Sequence, residues 1–173
     1  MTDWETIIAR NRDALQSTAW RLLGNHADVA DCLQEAFLEA LSVSKKRRIR
    51  NWRGFLQWLV VHRALDCLRQ RGRESRCHGT PVDLTTVTSP NPGPVEEAQM
   101  RDVIAKLRQA LTELPAQQAD AFCLRYLSGL SYRAIGRELG LKTSTVGTLL
   151  HRSRNALAAL LNESGAKALE VGR

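Results

Sequence analysis

Residues 79–94, GTPVDLTTVTSPNPGP, hold four of the chain's five prolines and a single charged side chain. Each proline lacks an amide donor and fixes φ, so no helix crosses this stretch, and its backbone favours extended conformations. A chain of 173 residues interrupted there has room for two small units, each near the lower size limit for an independent core. The boundaries expected are 1–75 for the first unit, 76–95 for a flexible linker, 96–162 for the second unit and 163–173 for a short tail.

Both units carry helical periodicity and neither shows a convincing alternating strand. Thr2 and Glu5 form a capping-box pattern ahead of Trp4, Ile7, Ile8, Leu15, Ala19 and Leu22, and Gly24 closes that helix. Val29, Cys32, Leu33, Ala36, Phe37, Ala40 and Leu41 give the i, i+3, i+4, i+7 spacing of a second. Phe55, Trp58, Leu59, Leu65 and Leu68 mark a third, expected to reach about Arg71. Met100, Val103, Ile104, Leu107 and Leu111 mark a fourth, and Pro115 suits the first position of a fifth that runs to about Leu127. Ser131 caps a short helix, Tyr132–Leu139, which Gly140 stops, and Thr143 caps a longer one. The fold class predicted is all-α, two small helical domains, with a helix-turn-helix in the second.

Charge identifies the class of partner. Lys and Arg number 25 against 18 Asp and Glu, a net +7, which favours polyanions. Residues 1–41 carry three basic and seven acidic side chains (3 − 7 = −4), whereas residues 42–78 carry eleven and two (11 − 2 = +9). No apolar run is long enough to span a membrane, and MTDWETIIARNRD lacks the pattern of a secretory signal. A cytoplasmic protein is expected. Cys32, Cys67, Cys77 and Cys123 form no C-x-x-C pair, so reduced thiols are expected rather than zinc or disulfides.

Three surfaces stand out. Lys45-Lys46-Arg47-Arg48-Ile49-Arg50-Asn51-Trp52-Arg53 is the densest charge, continued by Arg63, Arg69, Arg71, Arg73 and Arg76. Basic side chains interleaved with Trp52 and Trp58 suit single-stranded nucleic acid, where phosphates are neutralised and bases stack; Trp58, at helical spacing from Phe55, reads equally well as core. The second helix presents Asp28, Asp31, Gln34, Glu35 and Glu39 on its polar face, with Leu38 among them. One apolar side chain in an acidic surround is the pattern of a protein-binding face. In the helix-turn-helix, Ile135, Leu139, Leu141, Val146 and Leu150 fill the seam, which leaves Ser144, Thr145, Gly147, Thr148, His151 and Arg152 outward, where a major groove is read. No phosphate loop, nucleophile elbow or metalloprotease motif is present, and His26, His62, His78 and His151 are scattered. No enzyme, cofactor or metal is expected.

Residues 19–41, AWRLLGNHADVADCLQEAFLEAL, and 51–71, NWRGFLQWLVVHRALDCLRQR, resemble region 2 of the extracytoplasmic-function sigma factors. Residues 114–157, LPAQQADAFCLRYLSGLSYRAIGRELGLKTSTVGTLLHRSRNAL, resemble region 4 of the same family. The resemblance implies a factor that binds core RNA polymerase and directs it to promoters. Asp31, Gln34, Glu35 and Leu38 would meet the clamp helices of the β′ subunit. Lys45, Lys46, Arg47, Arg48, Arg50, Asn51, Trp52, Arg53, His62 and Arg63 would open and capture the −10 element. Thr143, Ser144, Thr145, Thr148, His151 and Arg152 would read the −35 element while region 4 docks on the β flap, and an anti-sigma factor wedged between the halves would regulate the chain.

The chain departs from the family pattern at several positions. His62 stands where Asn is common, Gly136 where Ala is usual, and Gly147-Thr148-Leu149 where a basic, a small and an Arg residue are common. Gly136 reads as a mild change. Two other functions compete with the sigma-factor reading. A stand-alone helix-turn-helix regulator explains only the second unit, and a protein–protein module without promoter activity rests on the altered recognition helix alone.

Overall fold

Seven helices and no strand make up the described residues of the computed structural model. These comprise the backbone of residues 3–78 and 94–170 and the side chains of 3–74 and 99–162. The helices are α1 (Trp4–Leu23), α2 (His26–Lys46), α3 (Trp52–His78), α4 (Pro94–Glu113), α5 (Ala116–Tyr126), α6 (Tyr132–Leu139) and α7 (Thr143–Glu170). The all-α class is as the sequence implies. Of the linker expected at 76–95, residues 79–93 lie outside the described residues, while 76–78 end α3 and 94–95 begin α4.

The start of α1 differs in detail from the sequence pattern. Asp3, a stronger cap than Thr, takes the N-cap position and accepts from the Thr6 amide at 3.2 Å; Thr2 lies outside the described residues. Gly24 ends α1 with φ 71°, and its N–H bonds back to the Trp20 carbonyl. Asn25 caps α2 through the Asp28 amide at 2.9 Å. Helix α3 runs seven residues past Arg71, since no proline interrupts the sequence before Pro81. Pro115 sits one position ahead of α5 and Thr143 is already the first residue of α7, single-position shifts that leave the helices where their patterns place them.

Helix α3 organises the packing. Leu56, Leu59, Val60, Val61, Ala64, Leu65 and Leu68 are all buried, more than one apolar stripe can hold. α1 and α2 cover one side of it and α4, α5 and α6 the other. The two halves therefore share one contiguous core. Polar contacts fasten them as well. The Arg108 side chain on α4, 2 % exposed, enters the C-terminal end of α1, where it donates to the Arg21 carbonyl at 3.1 and 3.3 Å and to that of Trp20 at 3.4 Å. A guanidinium there meets the orphan carbonyls and the negative end of the helix dipole. Arg21 reciprocates, donating to the Leu127 carbonyl at 3.0 Å.

The helix-turn-helix has the seam its sequence encodes. Ile135, Val146 and Leu150 are fully buried, and Leu139 and Leu141 pack against them. Ser131 caps α6 through the Ala134 amide, and Gly140 closes it with φ 68°. Cys32 and Cys123 are buried and free, with burial pushing the Cys32 thiol up to about 12 and Cys123 up as well. Both are poor nucleophiles.

Two glycines make opposite predictions. A Cβ on Gly136 would lie 2.6 Å from the Leu141 carbonyl oxygen, a backbone atom that cannot move without disturbing the turn, whereas a Cβ on Gly147 would rest 3.8 Å from the Tyr132 ring. Gly136→Ala, mild on sequence alone, should destabilise the chain by about 1–3 kcal/mol through overpacking. Gly147→Ala should stabilise it by about 1 kcal/mol through helix propensity. Thermal unfolding of the two variants against the parent checks both signs.

Candidate nucleic-acid interface

The basic run occupies the last turn of α2, the connection and the first turn of α3. Lys45, Lys46, Arg47, Arg48, Arg50 and Arg53 are all exposed. Asn51 plays a structural part, capping α3. Its Oδ1 accepts from the Gly54 amide at 3.1 Å and its carbonyl from the Phe55 amide at 3.0 Å. Trp52 is half-buried, edge-on to Trp4 with ring centroids 5.1 Å apart. The Arg47 guanidinium lies over the Phe55 ring at 5.6 Å.

Between this connection and the start of α1 lies an open cleft of about 320 Å³. Trp52, Arg47, Arg48, Ile49 and Ser44 form one wall, and Asp3, Thr6 and Ile7 the other. Two arginines and an aromatic ring among its lining residues give the chemistry of a pocket for an unstacked base. The α1 residues were not evident as site residues from sequence. The signals that could have pointed to them were Ile49, the one aliphatic residue in the basic run, and Trp4 at the start of α1.

Farther along α3 the expected DNA-facing residues separate. Trp58 stacks on the His62 ring, centroids 5.7 Å apart at 21°, while also packing on Phe55 and the core. His62 Nδ1 lies 3.3 Å from the carboxylate of Asp120 on α5, and Nε2 lies 3.6 Å from that of Asp66 on α3. Arg63 turns the other way, binding Glu39 at 2.6 Å and Glu35 at 3.4 Å. Arg63 thus belongs with the carboxylates of α2 rather than with the basic loop.

On α2, Asp31, Gln34 and Glu35 are exposed and surround Leu38, which is 60 % exposed. Asp28 is withdrawn from this face by an ion pair with Arg71 of α3. On α7, Thr143, Ser144, Thr145, Thr148, His151 and Arg152 are all exposed along one outer face. Gly147 is half-buried beside Tyr132, and Leu149 packs inward against the core, so neither presents a side chain there. The Thr148 hydroxyl bonds the Ser144 carbonyl at 3.2 Å, and His151 lies 3.2 Å from the Asn155 amide.

Two matches decide the family. Residues 7–74 match Sigma-70 region 2, and residues 104–157 match Sigma-70, region 4. The chain belongs to the extracytoplasmic-function sigma-70 factors. It is 32% identical over 157 residues to the ECF RNA polymerase sigma factor SigE of Mycolicibacterium smegmatis, covering 91% of this chain and 61% of that protein. It therefore spans about three-fifths of that relative's length. With ECF RNA polymerase sigma factor SigW of Bacillus subtilis it shares 24% identity over 91% of this chain and 88% of that one. The sigma factor RpoE of Bartonella quintana, solved in complex with the anti-sigma factor NepR, shares its fold with a TM-score of 0.58 at 23% identity, over 94% of this chain and 98% of that one.

In this region 2, the hydrogen bond that His62 Nδ1 donates to Asp120 is the main reason the His62 pKa is raised, with burial and Arg69 opposing and the Asp120 and Asp66 charges adding to it. A raised pKa means that the contact is strongest when the imidazole is protonated. Its contribution is full below the ordinary value near 6.5 and fades as pH rises through the raised one. Asp120→Asn should return the His62 titration toward the ordinary value, as followed by the imidazole proton shifts across the pH range.

Proposed function

We propose that this chain binds core RNA polymerase and directs it to promoters, melting and capturing the −10 element through region 2 and reading the −35 duplex through region 4. The observation that carries this reading is Leu38, exposed at 60 % among Asp31, Gln34 and Glu35. A stand-alone DNA-binding regulator has no use for such a face. Core polymerase supplies an occupant, the clamp helices of its β′ subunit.

On DNA, Lys45, Lys46, Arg47, Arg48, Arg50 and Arg53 displace counterions from the phosphates, which makes binding salt-dependent. A base flipped from the opened −10 strand enters the cleft beside Trp52. Unstacking it costs a few kcal/mol, offset by the pocket and by polymerase contacts. Asn51 and Trp52 shape the pocket, with Asn51 acting through the α3 cap. His62 extends the same surface, backed by Trp58.

Region 4 places the exposed face of α7 in the major groove. Thr143, Ser144, Thr145, Thr148, His151 and Arg152 contact bases and phosphates there, while region 4 also docks on the β flap. With Gly147 and Leu149 contributing no side chain to that face, −35 reading rests on hydroxyls, His151 and Arg152. No bond is made or broken in any of these steps. The site of action is the cytoplasm, where the polymerase works. A separate anti-sigma factor that wedges the two halves apart is the regulator we infer, and the Bartonella neighbour, solved in complex with an anti-sigma factor, supports it.

Leu38→Asp combined with Asp31→Lys should weaken binding to core polymerase by about thirtyfold or more, as expected for loss of a hot spot, and should leave helicity unchanged. Run-off transcription with purified core polymerase on genomic fragments tests the whole reading. Start sites that need the parent chain and vanish with the variant support it. Tight duplex binding without any affinity for core would establish the stand-alone regulator instead.

A further inference from the structure

Region 4 covers part of the surface on which region 2 would hold DNA, and it does so with carboxylates. Asp120 on α5 is 4 % exposed and meets His62 at 3.3 Å. Glu138 on α6 reaches the first turn of α3, where one of its carboxylate oxygens lies 2.8 Å from where a Cβ on Gly54 would be. That places it beside Asn51, at the positive end of the α3 dipole; burial raises its pKa, and the Arg137 and then the Arg47 charges partly offset that rise. Both negative groups thus occupy positions that favour an anion: an imidazole with a raised pKa and a helix N-terminus next to an arginine.

We propose that Asp120 and Glu138 stand in for DNA phosphates within the chain, holding region 4 over the −10 surface until single-stranded promoter DNA displaces them. The inference rests on reading the α2–α3 loop and α3 as the −10 site. It goes beyond that reading by assigning two region 4 residues a competing role.

The rest of the interface fits a contact made to open. Asp120 Oδ1 is buried without a hydrogen-bond partner, which keeps the contact from reaching its full strength. Lys45, Lys46, Arg48, Arg50 and Arg53 remain exposed in the closed form, so a strand can land beside the covered patch and move onto it. The Leu38 face of α2 and the outer face of α7 are exposed as well. Closure therefore leaves core binding and duplex contact available and opposes single-strand capture alone.

The test uses the full chain and a fluorescein-labelled, random-sequence single strand of about 20 nucleotides at fixed salt. Asp120→Asn/Glu138→Gln should bind it about tenfold more tightly than the parent. The same substitutions should enlarge the radius of gyration in small-angle scattering and leave core polymerase affinity unchanged. Asp13→Asn/Glu113→Gln removes the same two charges at exposed positions and should change affinity by less than about twofold. Equal tightening in both double variants would reduce the effect to net charge and overturn the proposal. Opening without tightening, or a parent chain already extended in solution, would overturn it as well. If no version binds single strands, even with core polymerase, the −10 assignment fails and the competing role fails with it. Glu138→Gln alone, at a half-buried site, gives the same readout if the double variant loses helicity.

Discussion

Everything in this structure leans on α3. Leu59, Val60 and Val61 are consecutive and all buried, and the side chains of three successive residues fan over about 200° of a helix. One covering layer cannot bury them. Two layers are required, α1 with α2 on one side and the region 4 helices on the other. A helix buried over about half its circumference sits between two layers, yet this one also starts from the most basic loop in the chain. The core and the surface proposed for nucleic acid are therefore built on the same element, and whatever moves region 4 away changes the exposure of both.

That coupling explains what could be read in the sequence. α6 was legible residue for residue, because its cap, its apolar positions and its terminating Gly140 are all local signals. Leu38 was legible for the same reason, as an apolar residue on the polar side of a regular helix. The roles of Asn51, Arg63 and Asp120 were not. Asn51 looks like one more polar residue in a basic run and is the α3 cap. Arg63 reads as part of the basic stretch until α2 and α3 are placed side by side, when it falls opposite Glu39 and Glu35. Asp120 and Arg108 resemble ordinary surface charges on amphipathic helices, and only the packing of one half on the other buries them. Residue periodicity reports which face of a helix is buried, not what buries it. The run Leu59-Val60-Val61 was the one sequence signal that a second layer exists.

The polar contacts also divide labour between the two layers. Arg63 with Glu39 and Glu35, and Arg71 with Asp28, join α2 to α3 at two places along their length. Partly exposed ion pairs of this kind add modest stability, but they fix register between helices whose outer faces differ. The face proposed for the polymerase clamp and the loop proposed for the −10 strand then move as one body. Among the described residues the layer from region 4 is held differently, by the Arg108 and Arg21 guanidiniums on carbonyl oxygens, one histidine–carboxylate pair and apolar packing.

The asymmetry has a physical consequence for order of events. The segment with eleven basic and two acidic side chains repels itself when no polyanion is near, and region 4 carboxylates relieve part of that repulsion in the closed chain. DNA relieves it more completely, because a strand offers many phosphates and releases its own counterions. The elements at −10 and −35 are about 25 base pairs apart, roughly 85 Å at about 3.4 Å per pair, whereas here the two halves touch. Reading both at once requires the halves to part. Parting breaks the packing and hydrogen bonds on the region 4 side of α3, while the α2–α3 ion pairs survive. On the proposed assignments, a closed chain would dock on polymerase through α2 before it opens, and the strand filling the proposed −10 surface would also remove the reason for region 4 to return.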